Sequence, residues 1–193
     1  MKKEIDFKKA IGQHTLLYGE INTGKTYYTA QFIDYLLKSE YISPADISVL
    51  DFAPALNINN IKFGGKIKDF SKMSLKCKYL PLEGEIIPPR FNARDRKELF
   101  ENVCHNYKIA TKSLQLFNEN PTNFLIINDL SIYLHLGNKN YLLQTIINVN
   151  TFFGNSYYGT KIKSSFSKLL SLKERKRVEF LINHIQNSIL TSK

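Results

Sequence analysis

Short apolar runs punctuate the chain, and between them apolar residues recur three and four apart, the two periods that separate buried strands from amphipathic helices. Residues 15–18 (TLLY) predict a short buried strand and 26–38 a helix, with Ala30, Ile33 and Leu37 on one face. A turn at Ser43-Pro44-Ala45-Asp46 leads into a second strand over 47–52 (ISVLDF), with Asp51 near its end. Asp95 and Glu98 read as a helix-start box, each acid satisfying free backbone N–H groups. Leu99, Val103, Tyr107, Ala110, Leu114 and Phe117 then carry a long helix that stops before Asn120-Pro121. Residues 124–127 (FLII) predict a central strand, Leu142, Leu143, Ile146 and Ile147 a short helix, and 149–153 a further strand. Ser171-Leu172-Lys173-Glu174 reads as a capping box, followed at helical spacing by Val178, Leu181, Ile182 and Ile185. A last short strand is predicted over 188–191.

Apolar strands alternating with helices imply an α/β, three-layer fold: a mostly parallel central sheet with helices on both faces. The length of 193 residues suits a single domain with a substantial core. Residues 53–90 break the alternation. Asn57, Asn59, Asn60, Gly64-Gly65, Pro81 and Pro88-Pro89 punctuate the stretch, with short extended pieces such as 76–80 between them. It reads as an irregular insert or a functional loop.

Composition places the chain among globular proteins, with 43% hydrophobic residues and no apolar run near the roughly 20 residues a membrane helix needs. The basic N-terminus lacks an apolar h-region, and Cys77 and Cys104 form no metal or disulfide pattern, so the expected setting is reducing and cytoplasmic. The net charge of +10 is uneven: +1 over 1–70, +3 over 71–160 and +6 over 161–193. A basic C-terminal region suits a nucleic-acid backbone or an acidic partner, and equally a solvated lysine-rich surface.

The octapeptide GEINTGKT, residues 19–26, fits G-x-x-x-x-G-K-[ST] at every fixed position and lies between a predicted strand and a predicted helix. Gly19 and Gly24 allow backbone angles that a side chain would block, and the N–H groups of Glu20, Ile21, Asn22 and Thr23 can form an anion nest at the positive end of the helix. Lys25 supplies a point charge for β- and γ-phosphates, Thr26 a hydroxyl for Mg²⁺, and Tyr27 an aromatic face beside the loop.

On this motif and the element order, the chain resembles the P-loop NTPase superfamily, and RecA-like and KaiC-like ATPase cores within it. The resemblance implies ATP and Mg²⁺ as ligands and an apolar strand ending in an acid that holds the metal through water. NFLIIND places Asn128 directly after the four apolar residues and Asp129 one position later; Asp129 takes the magnesium role in this reading. Asp51 stands where such ATPases carry a catalytic carboxylate, to orient water, bind a substrate hydroxyl, or simply cap the turn. Asn155, following the strand predicted over 149–153, is a candidate γ-phosphate sensor or a turn former beside Gly154. Arg90, Arg94 and Arg96 form one candidate charge-neutralising group; Arg175 and Arg177, with Lys173 and Lys176, form another in the first turns of the last helix. GTP is disfavoured because Asn138-Lys139-Asn140 is followed by Tyr141 where a guanine-reading acid belongs. The resulting expectation is an ATPase coupled to a partner or to homo-oligomer assembly. Its alternatives are a small-molecule or nucleotide kinase, and a nucleotide-dependent binding protein with little turnover.

Overall fold

The computed structural model of the chain describes residues 5–54, 56–58, 61–63, 65–162 and 166–192. The first half contains α1 (Phe7–Ala10), β1 (His14–Gly19), α2 (Lys25–Lys38), β2 (Ile47–Asp51), β3 (Leu56–Ile58), β4 (Ile61–Phe63), α3 (Ile67–Phe70), β5 (Lys78–Tyr79) and α4 (Pro89–Asn92). The second contains α5 (Arg96–Glu119), β6 (Phe124–Asn128), α6 (Leu130–Leu134), α7 (Lys139–Ile147), β7 (Thr151–Tyr157), α8 (Lys168–His184) and β8 (Asn187–Thr191). Among the described residues, six strands pair in the order β5-β2-β6-β7-β1-β8, every neighbouring pair parallel. β3 and β4 form a separate antiparallel pair within the 53–90 segment, and β5 joins that segment to the edge of the main sheet. Of the residues that punctuate it, Asn59, Asn60 and Gly64 lie outside the described residues.

Strand residues point alternately to opposite faces, and this alternation builds two cores. Leu16, Leu50, Leu125, Ile127 and Phe152 pack against Leu114 and Phe117 of α5, Ile146 of α7, and Val178 and Leu181 of α8. Their neighbours Leu17, Val49, Ile126 and Phe153 face the other way, onto Phe32, Ile33 and Leu36 of α2, Ala10 of α1 and Ile67 of α3. The fold is therefore α/β with helices on both faces of a parallel sheet, as the periodicity predicts. Among the described residues, no helix is long and apolar enough to cross a membrane.

Two predicted boundaries are corrected. β7 does not end at Phe153: it continues through Gly154 and Asn155 to Tyr157, every residue buried. Gly154 is an in-strand residue, because a Cβ there would meet the Phe152 ring at 2.5 Å and the Ile127 carbonyl at 3.0 Å. The last helix starts at Lys168 rather than near Ser171, whose N–H already donates to the Ser167 carbonyl (2.9 Å). Glu174 consequently lies inside α8, and Lys173 to Arg177 occupy its second and third turns rather than its positive end.

The pairings Leu17↔Asn155 and Asp51↔Asn128 bring the C-terminal ends of β1, β2, β6 and β7 to one edge of the sheet. In open parallel α/β sheets, ligands bind at that edge.

Candidate functional site

The loop from β1 to α2 begins at Gly19, whose φ is 151° and where a Cβ would meet the Thr191 carbonyl at 2.5 Å. It ends at Gly24, left-handed at φ 85° and placed at the N-cap of α2. Both conformations favour glycine, the first also because β8 passes against the backbone. Lys25, the first helical residue, folds its ammonium back over the loop and donates to the carbonyls of Gly19 (2.9 Å) and Glu20 and weakly to the Thr23 hydroxyl (3.5 Å). Burial pushes this ammonium down to about 8, against the opposing pull of Asp129 and Glu20. Among the described residues, no carboxylate ion-pairs with it. Glu20 is half-buried. Its carboxylate accepts N–H groups of Thr160 and Lys161 (3.2 Å to the latter) and ties the loop to the segment after β7.

Beneath the loop lies a connected polar network. Asn128 is fully buried at the end of β6 and uses its whole amide: Nδ2 donates to Asp51 Oδ1 (2.7 Å) and the Gly65 carbonyl (2.9 Å). Its Oδ1 accepts from Thr26 Oγ1 (3.2 Å) and Asn155 Nδ2 (2.8 Å). Asn155 also donates to Thr29 Oγ1 (2.9 Å) and accepts the Asp129 N–H (3.2 Å). This polar partner set is why a buried strand tolerates Asn at 155. Asp51 has both oxygens engaged, the second by the Ile67 N–H (2.8 Å) at the start of α3, so it anchors the network and that turn. Burial raises its pKa, opposed by Lys66, Asn128 and the Ile67 N–H.

The amide at 128 has a physical reason, since a carboxylate there would face Asp51. Asn128→Asp is expected to destabilise the fold by about 3 kcal/mol at pH 7, the scale of an uncompensated buried charge. Urea denaturation at pH 7 and pH 5 checks this, the deficit shrinking at the lower pH as the pair takes up a proton.

Asp129 follows in a left-handed conformation (φ 59°, ψ 63°) that caps α6. This turn redirects the carboxylate that stands one place beyond the strand, and Asp129 lines a cavity of about 250 Å³ shared with Lys25 and Thr26. Its side chain accepts the Ser131 hydroxyl. Burial raises its pKa, opposed by that hydroxyl, Lys25 and His135 and reinforced by Glu174. A carboxyl with a raised folded pKa is penalised for ionising as pH rises past its unfolded value near 3.8. Asp129→Asn should therefore melt at or above the wild type at pH 7, with the difference closing as pH falls towards that value. Calorimetric melting across pH checks the sign.

The arginine groups separate. The Arg90 side chain is buried, lines the same cavity, and donates from Nη2 to Glu174 Oε2 (2.6 Å). Arg94 is exposed and pairs with Glu98, and Arg96 is exposed at the start of α5. Arg175 lies over the Tyr158 ring (4.5 Å) and bonds Glu179 (3.1 Å). Arg177 donates to the carbonyls of Leu134 (2.7 Å) and His135, closing the end of α6. Neither of these last two lines the cavity.

Glu174 and His135 escape the sequence reading. Glu174 resembles a cap acid, but it is in phase with Val178, Leu181 and Ile185, and that phase is the signal of burial. Tyr27 is half-exposed, edge-on to Tyr28 (5.6 Å) and Phe70 (6.2 Å), and borders two cavities. The second, of about 460 Å³, shares Asn22, Thr23, Gly24 and Tyr27 with the first and extends against Ile5, Tyr28 and residues 189–192.

No protein-family model matches the chain, and no curated protein matches its sequence. Among solved structures, the flagellar accessory protein FlaH from Methanocaldococcus jannaschii superposes with a TM-score of 0.47 at 13% identity, covering 89% of this chain and 74% of FlaH. The Pif1 helicase from Candida albicans gives a TM-score of 0.37 at 15% identity, over 94% of this chain and 36% of the helicase.

The donor set suits a hard cation bound with phosphate. Mg²⁺ keeps several of its waters, so Thr26 as a direct ligand and Asp129 through water could hold it without a dedicated cage. Among the described residues, no group of three or more His, Cys, Asp or Glu side chains could hold a metal ion.

Proposed function

We propose that the chain is a Mg²⁺-dependent ATP-binding protein that hydrolyses its nucleotide. The carrying observation is Lys25: a largely buried ammonium in a glycine loop at a helix N-terminus, whose hydrogen-bond partners among the described residues are two carbonyls and a hydroxyl. A phosphate is the partner such a cation lacks. The nucleoside occupies the 460 Å³ cavity, between Tyr27 and Tyr28 on one side and Ile189 to Ser192 on the other. ATP is favoured over GTP because Asn138, the nearest candidate for guanine reading, spends its side-chain oxygen capping α7 through the N–H groups of Asn140 (2.9 Å) and Tyr141 (3.3 Å).

In this reading Lys25 would contact the β- and γ-phosphates, and the Thr26 hydroxyl, which donates to Asn128 in the free protein, would be a ligand for the metal. Asp129 would help hold the metal through water, and Asp51 positions Asn128. Bound Mg²⁺ supplies neutralisation of charge on the phosphate oxygens. The exposed Lys168, Lys173 and Lys176 of α8 support an acidic partner or a nucleic-acid backbone as the coupled ligand.

A second reading, phosphoryl transfer, is supported by the 250 Å³ cavity, which adjoins the proposed nucleoside site at the loop and could take an acceptor. Incubation with γ-labelled ATP distinguishes the readings. Free labelled phosphate, lost at least 100-fold in Asp129→Asn, is the expected result. Tight binding with neither release nor transfer would replace hydrolysis with a nucleotide-dependent binding role.

A further inference from the structure

The 250 Å³ cavity has a second charged wall. Arg90 of α4, His135 after α6 and Glu174 of α8 converge there from three parts of the chain, and the first two line the cavity directly. Both make their bonds to one oxygen: Arg90 Nη2 lies 2.6 Å and His135 Nε2 2.7 Å from Glu174 Oε2. The side chains are 6%, 1% and 4% exposed for Arg90, His135 and Glu174, respectively. Yet, among the described residues, Arg90 Nε and His135 Nδ1 find no hydrogen-bond partner. Buried polar atoms are normally satisfied, and a guanidinium is built to bind an oxyanion through two donors at once. Pro88, Pro89 and Phe91 flank Arg90 and give the cavity an apolar rim that strengthens its polar contacts.

We propose that Arg90, held by Glu174 and His135, forms an oxyanion subsite facing the phosphate loop, where a phosphate-type group binds. Glu174 occupies one guanidinium donor and keeps Arg90 extended into the cavity; the remaining donors meet the ligand. The oxyanion belongs to a second, anionic substrate, or else to the terminal phosphate of the nucleotide. This assignment rests on the nucleotide reading above.

The test is calorimetric titration of inorganic phosphate into the protein saturated with Mg-ADP, and separately with Mg-ATP. Phosphate is expected to bind the Mg-ADP complex, and Arg90→Gln to weaken it at least tenfold while Mg-ADP affinity holds within about threefold. Glu174→Gln, assayed below its melting temperature, should bind phosphate more tightly than the wild type, because the amide oxygen can still accept the Arg90 N–H while the competing negative charge is gone. A purely structural ion pair would give no such gain. Phosphate that still binds with Mg-ATP in place identifies a second substrate; phosphate displaced by ATP identifies the terminal phosphate. Normal ADP binding without phosphate binding, or phosphate binding unchanged in Arg90→Gln, overturns the subsite alone. Failure of the wild type to bind ADP overturns the nucleotide reading, and this subsite with it.

Discussion

Lys25→Ala should raise the dissociation constant for Mg-ATP at least 100-fold without unfolding the protein. A hundredfold corresponds to about 2.7 kcal/mol, within reach of one ammonium making charge-assisted bonds to two phosphates in a poorly solvated loop. The free protein should not suffer. Burial holds the ammonium at about 8, below its ordinary 10.5, so the folded state gives up stability as pH falls from 10.5 through 8 and the lysine charges. The alanine variant should accordingly melt at or above the wild type at pH 7, the difference narrowing as pH rises towards 10.5. Melting curves and calorimetric titration on the same samples separate the two effects. Unchanged ATP affinity would remove the phosphate-site assignment.

Glu174→Ala should be the most damaging single substitution for stability, costing about 3–5 kcal/mol, because it strands Arg90 in the interior beside His135. For a chain of this size that lowers the melting temperature by on the order of 10 °C. Glu174 has a carboxyl pKa held below its ordinary 4.5: burial acts to raise it, but the combined His135 and Arg90 interactions win. Its contribution is therefore complete above pH 4.5 and is lost as pH falls through the lower folded value. Urea denaturation at pH 7 and pH 3 should show a large gap between wild type and variant at the first and a smaller one at the second. A loss below 1 kcal/mol at pH 7 would mean that the triad does not organise this part of the core.

The strands were legible where burial is continuous and apolar: 15–18, 47–52 and 124–127 lie within one or two residues of β1, β2 and β6. The start of α5 was legible through Asp95, whose Oδ1 accepts the Glu98 N–H (2.9 Å), although the Glu98 carboxylate turns to Arg94 rather than completing the box. Illegible features share one cause: polar residues buried by partners distant in sequence. Asn155 ends the apolar signal of β7 without ending the strand, because Asn128 and Thr29 satisfy it from two other elements. Glu174 reads as a cap until Arg90 is seen 84 positions away. The five-residue α6 is too short for periodicity to reveal and depends on the left-handed turn at Asp129. Within the candidate site, the glycine loop was readable from its spacing alone. The second wall of the cavity was not, since no local pattern joins residues 90, 135 and 174.

The most direct measurement is calorimetric titration of ATP into the wild-type protein with and without Mg²⁺. The expected result is one site per chain, with magnesium strengthening the binding. Absence of heat and of any thermal shift with ATP, with or without Mg²⁺, would contradict a nucleotide phosphate site at residues 19–26.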